Sequence, residues 1–230
     1  MSSVSVSYPL PESVWLCFAL PEEMRLRRSW LRRRPDVHVL VTGVGPEPAR
    51  RALETQLELV RPRAVLSCGF AGALDPNLSV GTVLFATEDC NWRDRFLQAG
   101  ARPARFLTLP RMVTSASEKS QLWQSSRADA VEMESEPIAA LCCGRKIPFA
   151  VVRVISDAAS ESLPVNFARW LGPDGHLNRA AFLRAVMVRP TFWPSVVKLA
   201  CRARRAARRL AEVLAAALSN ESGADSLAET

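Results

Sequence analysis

The sequence predicts an α/β fold, with a mixed, largely parallel central sheet flanked by helices and a basic helix near the C-terminus. Three observations carry this prediction. Short β-branched runs recur along the 230 residues, helical patterns fall between them, and the strand-like runs are apolar on both faces.

The elements follow in order. Residues 14–20 (VWLCFAL) read as a strand and 21–33 as a helix opening at Pro21. A second strand over 37–42 leads to a helix over 46–60, where Pro46 and Pro48 suit a first turn. Further strands are expected at 64–67, 82–86, 112–115, 128–133 and 149–155. Residues 91–110, with charges and Pro103 among aromatics, read as a loop. Residues 135–144 are Ala- and Leu-rich, with Gly144 placed as a C-cap. After the turn signal LGPDG a short helix is expected near 178–188, then a long basic, Ala-rich helix over 193–218. The polar tail from 219 to 230 reads as disordered.

Composition bounds the function classes. No run approaches the ~20 apolar residues needed to cross a bilayer. The N-terminus lacks the basic start of a secretory signal, so a cytoplasmic protein is expected. The six cysteines show no C-x-x-C pair and only two histidines accompany them, which argues against a metal site and for buried free thiols. The net charge of +7 is concentrated in two arginine clusters, around 25–34 and 202–209. Such clusters favour anionic partners. Their lack of interleaved Tyr and Phe argues against single-stranded nucleic acid, and no nucleic-acid partner is expected.

Candidate chemistry gathers at predicted strand ends, where open α/β sheets bind ligands. VEMES (131–135) places Glu132 and Glu134 around Met133, and VVRVISD ends in Ser156 and Asp157. A carboxylate such as Glu134 can accept from both hydroxyls of a ribose, while Met133 packs on the sugar face. Glycines in CGFAGAL let backbone approach a flat base, with Phe70 available for stacking. Burial favours the protonated form of a carboxyl, so Asp157 at a dry strand end can donate a proton to a purine. The sugar left behind resembles an oxocarbenium ion, which carboxylates stabilise. N-glycosidic cleavage follows as an expectation.

On these residues a family resemblance stands. FALPEEM, the stretch from VTGVGPEP to GTVLFA, and AVEMESEPIAALCCGRKIPFAVVRVISDAA resemble, in order, the purine nucleoside phosphorylase and methylthioadenosine nucleosidase family. The resemblance spans about residues 14–159. It implies a nucleoside phosphorylase-like α/β/α sandwich over 1–190, followed by the basic helix at 191–218 and the tail at 219–230. It also implies Asp157 as general acid at purine N7 beside Ser156, and Glu134 on the ribose hydroxyls. Met133 would pack the sugar, Phe70, Ala71 and Gly72 would line the base, and Glu23 would help activate water. The remaining chain resembles hopanoid-associated phosphorylases, which are bacterial. That implies release of adenine from adenosylhopane, a lipid-linked nucleoside. The basic helix, with Trp193, Leu199, Leu210, Val213 and Leu214, could then rest on anionic headgroups at the inner face of the membrane.

The family's phosphorolytic members often carry Arg where this chain has Ser67, and Ser where it has Phe70. The phosphate site therefore does not carry over, and Arg27, Arg28 or Arg153 stand as candidate cations. No cofactor is implied beyond inorganic phosphate as co-substrate, and the nucleophile stays open between phosphate and water. The family's habit of pairing subunits makes a homo-oligomer the expectation. Two alternatives remain: a soluble methylthioadenosine or S-adenosylhomocysteine nucleosidase, and a non-catalytic nucleic-acid or membrane-surface binder on this fold. Glu132 is read as a structural partner of Arg153, and Cys142 and Cys143 as packing residues.

Overall fold

The structure, a computed structural model, describes residues 12–26, 28–163, 170, 172 and 193–219. Eight strands form one sheet: β1 (Val14–Phe18), β2 (Val37–Val41), β3 (Ala64–Ala73), β4 (Val83–Thr87), β5 (Arg102–Pro103), β6 (Phe106–Thr108), β7 (Ala130–Glu132) and β8 (Phe149–Asp157). Their main order is β2-β1-β3-β8-β4-β5. The pairs β1–β2, β1–β3 and β3–β8 are parallel, and β4 runs antiparallel to β8. Among the described residues the helices are α1 (Arg28–Leu31), α2 (Pro46–Leu57), α3 (Cys90–Gln98), α4 (Ala116–Ser126), α5 (Ser135–Gly144) and α6 (Trp193–Ser219).

Strand periodicity sorts the core into two layers. Val14, Leu16 and Phe18 of β1 point to one face with Leu66, Val152 and Val154, against α3 and α6. Trp15, Cys17 and Val65 point to the other, against Ala49 and Leu53 of α2 and Ile138 and Cys142 of α5. The predicted mixed, largely parallel sandwich is the architecture observed.

β3 decides where a site can form. Over Val14↔Ala64 to Phe18↔Cys68 its edge is paired by β1, and at Gly72↔Val131 and Ala73↔Ala130 the partner is β7. Between them the edge is open. On its opposite edge β8 follows in register until a bulge: Ala71 pairs Ile155 while Gly72 pairs Asp157, leaving Ser156 as the extra residue. Bulges re-aim side chains, and this one lets the neighbours Ser156 and Asp157 serve one place.

Several expectations are corrected. Among the described residues, 21–33 contain a turn and the short α1 rather than one helix; the Glu23 carboxylate accepts from the Leu20 amide (3.1 Å) and from Phe70 N (3.0 Å), which holds that turn against β3. The loop expected over 91–110 contains α3, β5 and β6; Asp89 caps α3 by accepting from Trp92 N (3.0 Å), and Trp92 and Phe96 bury its inner face. The expected strand at 112–115 is instead irregular chain entering α4, whose polar sequence ASEKSQLWQSS lacks a clear apolar stripe. The strand at 64–67 extends to Ala73, and that at 128–133 shrinks to β7. Gly144 is the last helical residue of α5 rather than its cap, and the left-handed position falls on Lys146 (φ 52°). Cys90, Cys143 and Cys201 are exposed, while Cys17, Cys68 and Cys142 are the buried thiols. The expected helix at 178–188 and the tail from 220 lie outside the described residues.

The basic helix α6 is also corrected in one respect. Leu210, Val213 and Leu214 are at most 1% exposed and lie in the main core, so they are not free for a lipid surface. Its arginines occupy the outer face, with Arg204, Arg205 and Arg208 exposed. Among the described residues no helix is long and apolar enough to cross a membrane. Leu214→Ala should cost about 2–5 kcal/mol in urea denaturation, whereas Arg208→Ala should stay within ~0.5 kcal/mol.

Candidate active site

The C-terminal ends of β1, β3 and β8 and the β7–α5 junction meet around a cavity of about 350 Å³. Glu23 reaches it from the turn after β1. Its Oε1 accepts from Phe70 N at 3.0 Å, on the stretch of β3 edge that neither β1 nor β7 covers. A side-chain oxygen thus satisfies an amide that the sheet leaves unpaired. Gly69 permits the approach: a Cβ there would lie 2.6 Å from Arg153 Nη1 and 2.9 Å from Glu23 Oε1.

Beneath the cavity Arg153 is buried in the middle of β8, 1% exposed. Its Nη2 donates to Glu132 (2.5 Å), Glu134 (3.3 Å), Ser67 Oγ (3.0 Å) and Ser135 Oγ (3.1 Å), and Nη1 to the Cys68 carbonyl (3.3 Å). A buried guanidinium demands such partners. Glu132 has a second task. Its Oε2 accepts from the amides of Glu134 (3.0 Å) and Ser135 (2.9 Å), capping the first turn of α5, where negative charge is favoured. Thr108 donates to its other oxygen. Glu132 is thereby fixed, and Glu134 is held between Arg153 and the amide of Gly45 (3.0 Å) while still lining the cavity.

Asp157 ends β8. Ser156 Oγ donates to its Oδ1 at 2.6 Å, and the Lys119 ammonium donates to Oδ2. A Cβ at Gly72 would stand 3.1 Å from that same Oδ2, so the glycine leaves room for the carboxylate.

Burial, the largest influence on Glu23, pushes its carboxyl up to about 7 against the opposing Arg153. Burial likewise raises Glu134, again with Arg153 opposing. For Glu132 burial also pushes upward, but Arg153 and the bonds from Thr108, the Glu134 amide and Ser135 outweigh it and hold the group below its ordinary range. Three neighbouring carboxyls therefore differ in proton affinity, a division that suits acid–base work. Burial pushes the Cys142 thiol up to about 12, which leaves it protonated and a packing group.

Of the residues proposed from sequence, Glu23, Phe70, Ala71, Gly72, Met133, Glu134, Ser156 and Asp157 all line this cavity. Arg153 does not. It is corrected from a phosphate ligand to the buried counter-ion of Glu132 and Glu134, because both carboxylates already occupy its guanidinium. Arg27 lies outside the described residues. Sequence reasoning missed Lys119, whose helix carries no pattern that marks an inward lysine. It also missed the apolar wall of Met112, Val113, Leu163, Leu199, Ala200 and Ala203, drawn from three separate segments.

Residues 22–107 and 89–187 match the phosphorylase superfamily. A 5′-methylthioadenosine/S-adenosylhomocysteine nucleosidase of Glaesserella parasuis serovar 5 is 30% identical over 170 residues, 59% of this chain and 74% of that protein. The nucleosidase of the same name from Neisseria meningitidis, solved with methylthio-immucillin-A, superposes with a TM-score of 0.67 at 17% identity, covering 91% of this chain and 99% of that one. Futalosine hydrolase of Helicobacter pylori superposes with a TM-score of 0.59 at 17% identity, covering 88% and 97%. The two structural likenesses speak for the fold.

The high proton affinity of Glu23 has a thermodynamic consequence. With a folded value of about 7 against an ordinary 4.5, the folded chain holds a proton that the unfolded chain releases. This stabilisation is complete below 4.5 and is lost as pH rises through 7, in total on the order of 3 kcal/mol. Urea denaturation of Glu23→Gln between pH 4 and 8.5 should therefore show a flatter pH dependence than the parent protein.

Proposed function

The chain belongs to the phosphorylase superfamily, and from that premise we propose that it is an enzyme that cleaves the N-ribosidic bond of a purine nucleoside and releases the free base. The observation that carries this reading is the convergence of Asp157 with Ser156, Glu134 with Met133, and the buried Glu23 on one cavity. Asp157 gives a proton to purine N7 as the bond from C1′ to N9 breaks, so the base leaves neutral. Glu134 accepts from the ribose hydroxyls; its oxygens already accept from Gly45 and Arg153, and a carboxylate can take further donors. Met133 packs on the sugar, and Phe70, Ala71 and Gly72 border the base.

The local charge favours water as nucleophile. Glu22, Glu23, Glu132, Glu134 and Asp157 bring five carboxyl groups to the site, against the cations Arg153 and Lys119. Arg111, the further cation on the cavity wall among the described residues, is engaged by Glu118. A phosphate dianion would enter against this field, whereas water can lose its proton to Glu23 as its oxygen bonds to C1′. The nucleosidase relative supports the same choice.

The 5′ substituent would meet the apolar wall, including Leu163 and the α6 residues Leu199, Ala200 and Ala203. That wall supports an apolar substituent. Adenosylhopane is the proposed substrate, and methylthioadenosine is the second reading, favoured by the nucleosidase relative.

The test offers the purified protein adenosylhopane, methylthioadenosine and inosine, each with and without phosphate, and follows free base and sugar phosphate. Base release from an adenosine derivative, indifferent to phosphate, is expected. Sugar phosphate as the product would replace water by phosphate, and no base release from any of the three would overturn the reading. Asp157→Asn should lower kcat by about 100-fold or more with the fold intact. For the parent enzyme, kcat/KM should rise as pH increases through about 7, where Glu23 loses its proton.

A further inference from the structure

Lys119 is 0% exposed, an extreme position for a lysine in an otherwise polar helix. Its ammonium donates to Asp157 Oδ2 and to the carbonyls of Ala158 (2.9 Å) and Glu161 (2.9 Å), so all three of its protons have acceptors. The last two bonds fall on the loop that follows β8. That loop is tied on one side to the segment around α4, through Leu163 N to Thr114 O (2.8 Å) and Ala116 N to Ser162 Oγ (3.1 Å). On its other side Glu161 pairs with Arg202 of α6 at 2.5 Å. The loop carries Leu163, and α6 carries Leu199, Ala200 and Ala203, all on the cavity wall.

We infer that Lys119 is the positioning residue of the site: it orients Asp157 and ties that carboxyl to the loop that carries Leu163 on the cavity wall. The inference rests on the role of Asp157 proposed above. The geometry distinguishes it from a lysine that merely fills space. One oxygen of Asp157 is taken by the ammonium at the back, and the other is shared with Ser156 on the cavity side. The other charged groups around this pair are Glu161 with Arg202 and Lys198, and Glu118 with Arg111. On the cavity wall stand Glu22, Glu23, Glu132 and Glu134, with Arg153 behind the last two. Of these cations only Lys119 is paired with Asp157 in an ion pair, among the described residues.

The experiment compares Lys119→Met, Lys119→Arg and Arg202→Ala with the parent enzyme and with Asp157→Asn, reading kcat and KM for base release. Lys119→Met should lower kcat by about tenfold or more with KM within about threefold, because Asp157 is present but no longer held in place. Lys119→Arg keeps a cationic donor, so it should recover part of that loss. Arg202→Ala loosens only the loop, so KM should rise with kcat little changed. A kcat in Lys119→Met within about twofold of the parent's, or a fall as large in Lys119→Arg, overturns the inference. If Lys119→Met does not fold, Lys119→Arg decides: its kcat should lie between those of the parent and Asp157→Asn, and a value no higher than that of Asp157→Asn overturns the inference. Absence of base release by the parent enzyme would strike the proposed function instead.

Discussion

A guanidinium buried in the middle of a β-strand is the constraint on which the site depends. Arg153 sits between Ala150–Val152 and Val154–Ile155 of β8, and an unpaired charge there would cost several kcal/mol. The chain meets the demand with Glu132 and Glu134 from the β7–α5 junction, Ser67 and the Cys68 carbonyl from β3, and Ser135 from the start of α5. Two separate segments, 67–68 and 132–135, are thereby held to β8 at one point. Glu134 is presented to the cavity because Glu132 and Arg153 hold its neighbourhood rigid.

The sheet supplies the second constraint. β3 outruns β1 and is picked up by β7 only at Gly72, so the amide of Phe70 faces no strand. Glu23 fills that place, and burial there raises its proton affinity. On the other edge of β3 the bulge at Ser156 brings two successive side chains together at the strand end. Irregularities of pairing, rather than loops laid over a regular sheet, create the acidic rim. The apolar wall has a different origin, since α6 returns from the far end of the chain to complete it.

Much of this was legible before any coordinates. Apolar runs with β-branched residues marked β1, β2, β4 and β8, and the prolines at 46 and 48 marked the start of α2. The motifs VEMES and ISDAA singled out residues that do converge on one cavity. Less legible were elements whose local pattern is weak. The polar α4 shows little amphipathic stripe, and β5 and β6 are too short to declare a period. α3 was hidden because its charges outweighed the i, i+4 pair Trp92 and Phe96. The acids after Pro21 resembled a helix start, yet one of them serves β3 instead of the helix dipole.

Alternation and spacing act within a few residues, so the sequence by itself determined the layers, the strand faces and the acids at strand ends. Direction and partnership depend on contacts across tens of residues, and only the tertiary structure decided them. It gave Arg153 a second carboxylate, Glu134, besides the Glu132 expected from sequence, and it buried Lys119 against Asp157, 38 positions away. It also placed the apolar stripe of α6 in the core. The physical reason is desolvation: a charge or an apolar stripe shows its role only when the fold removes its water, and no local pattern records where that will happen.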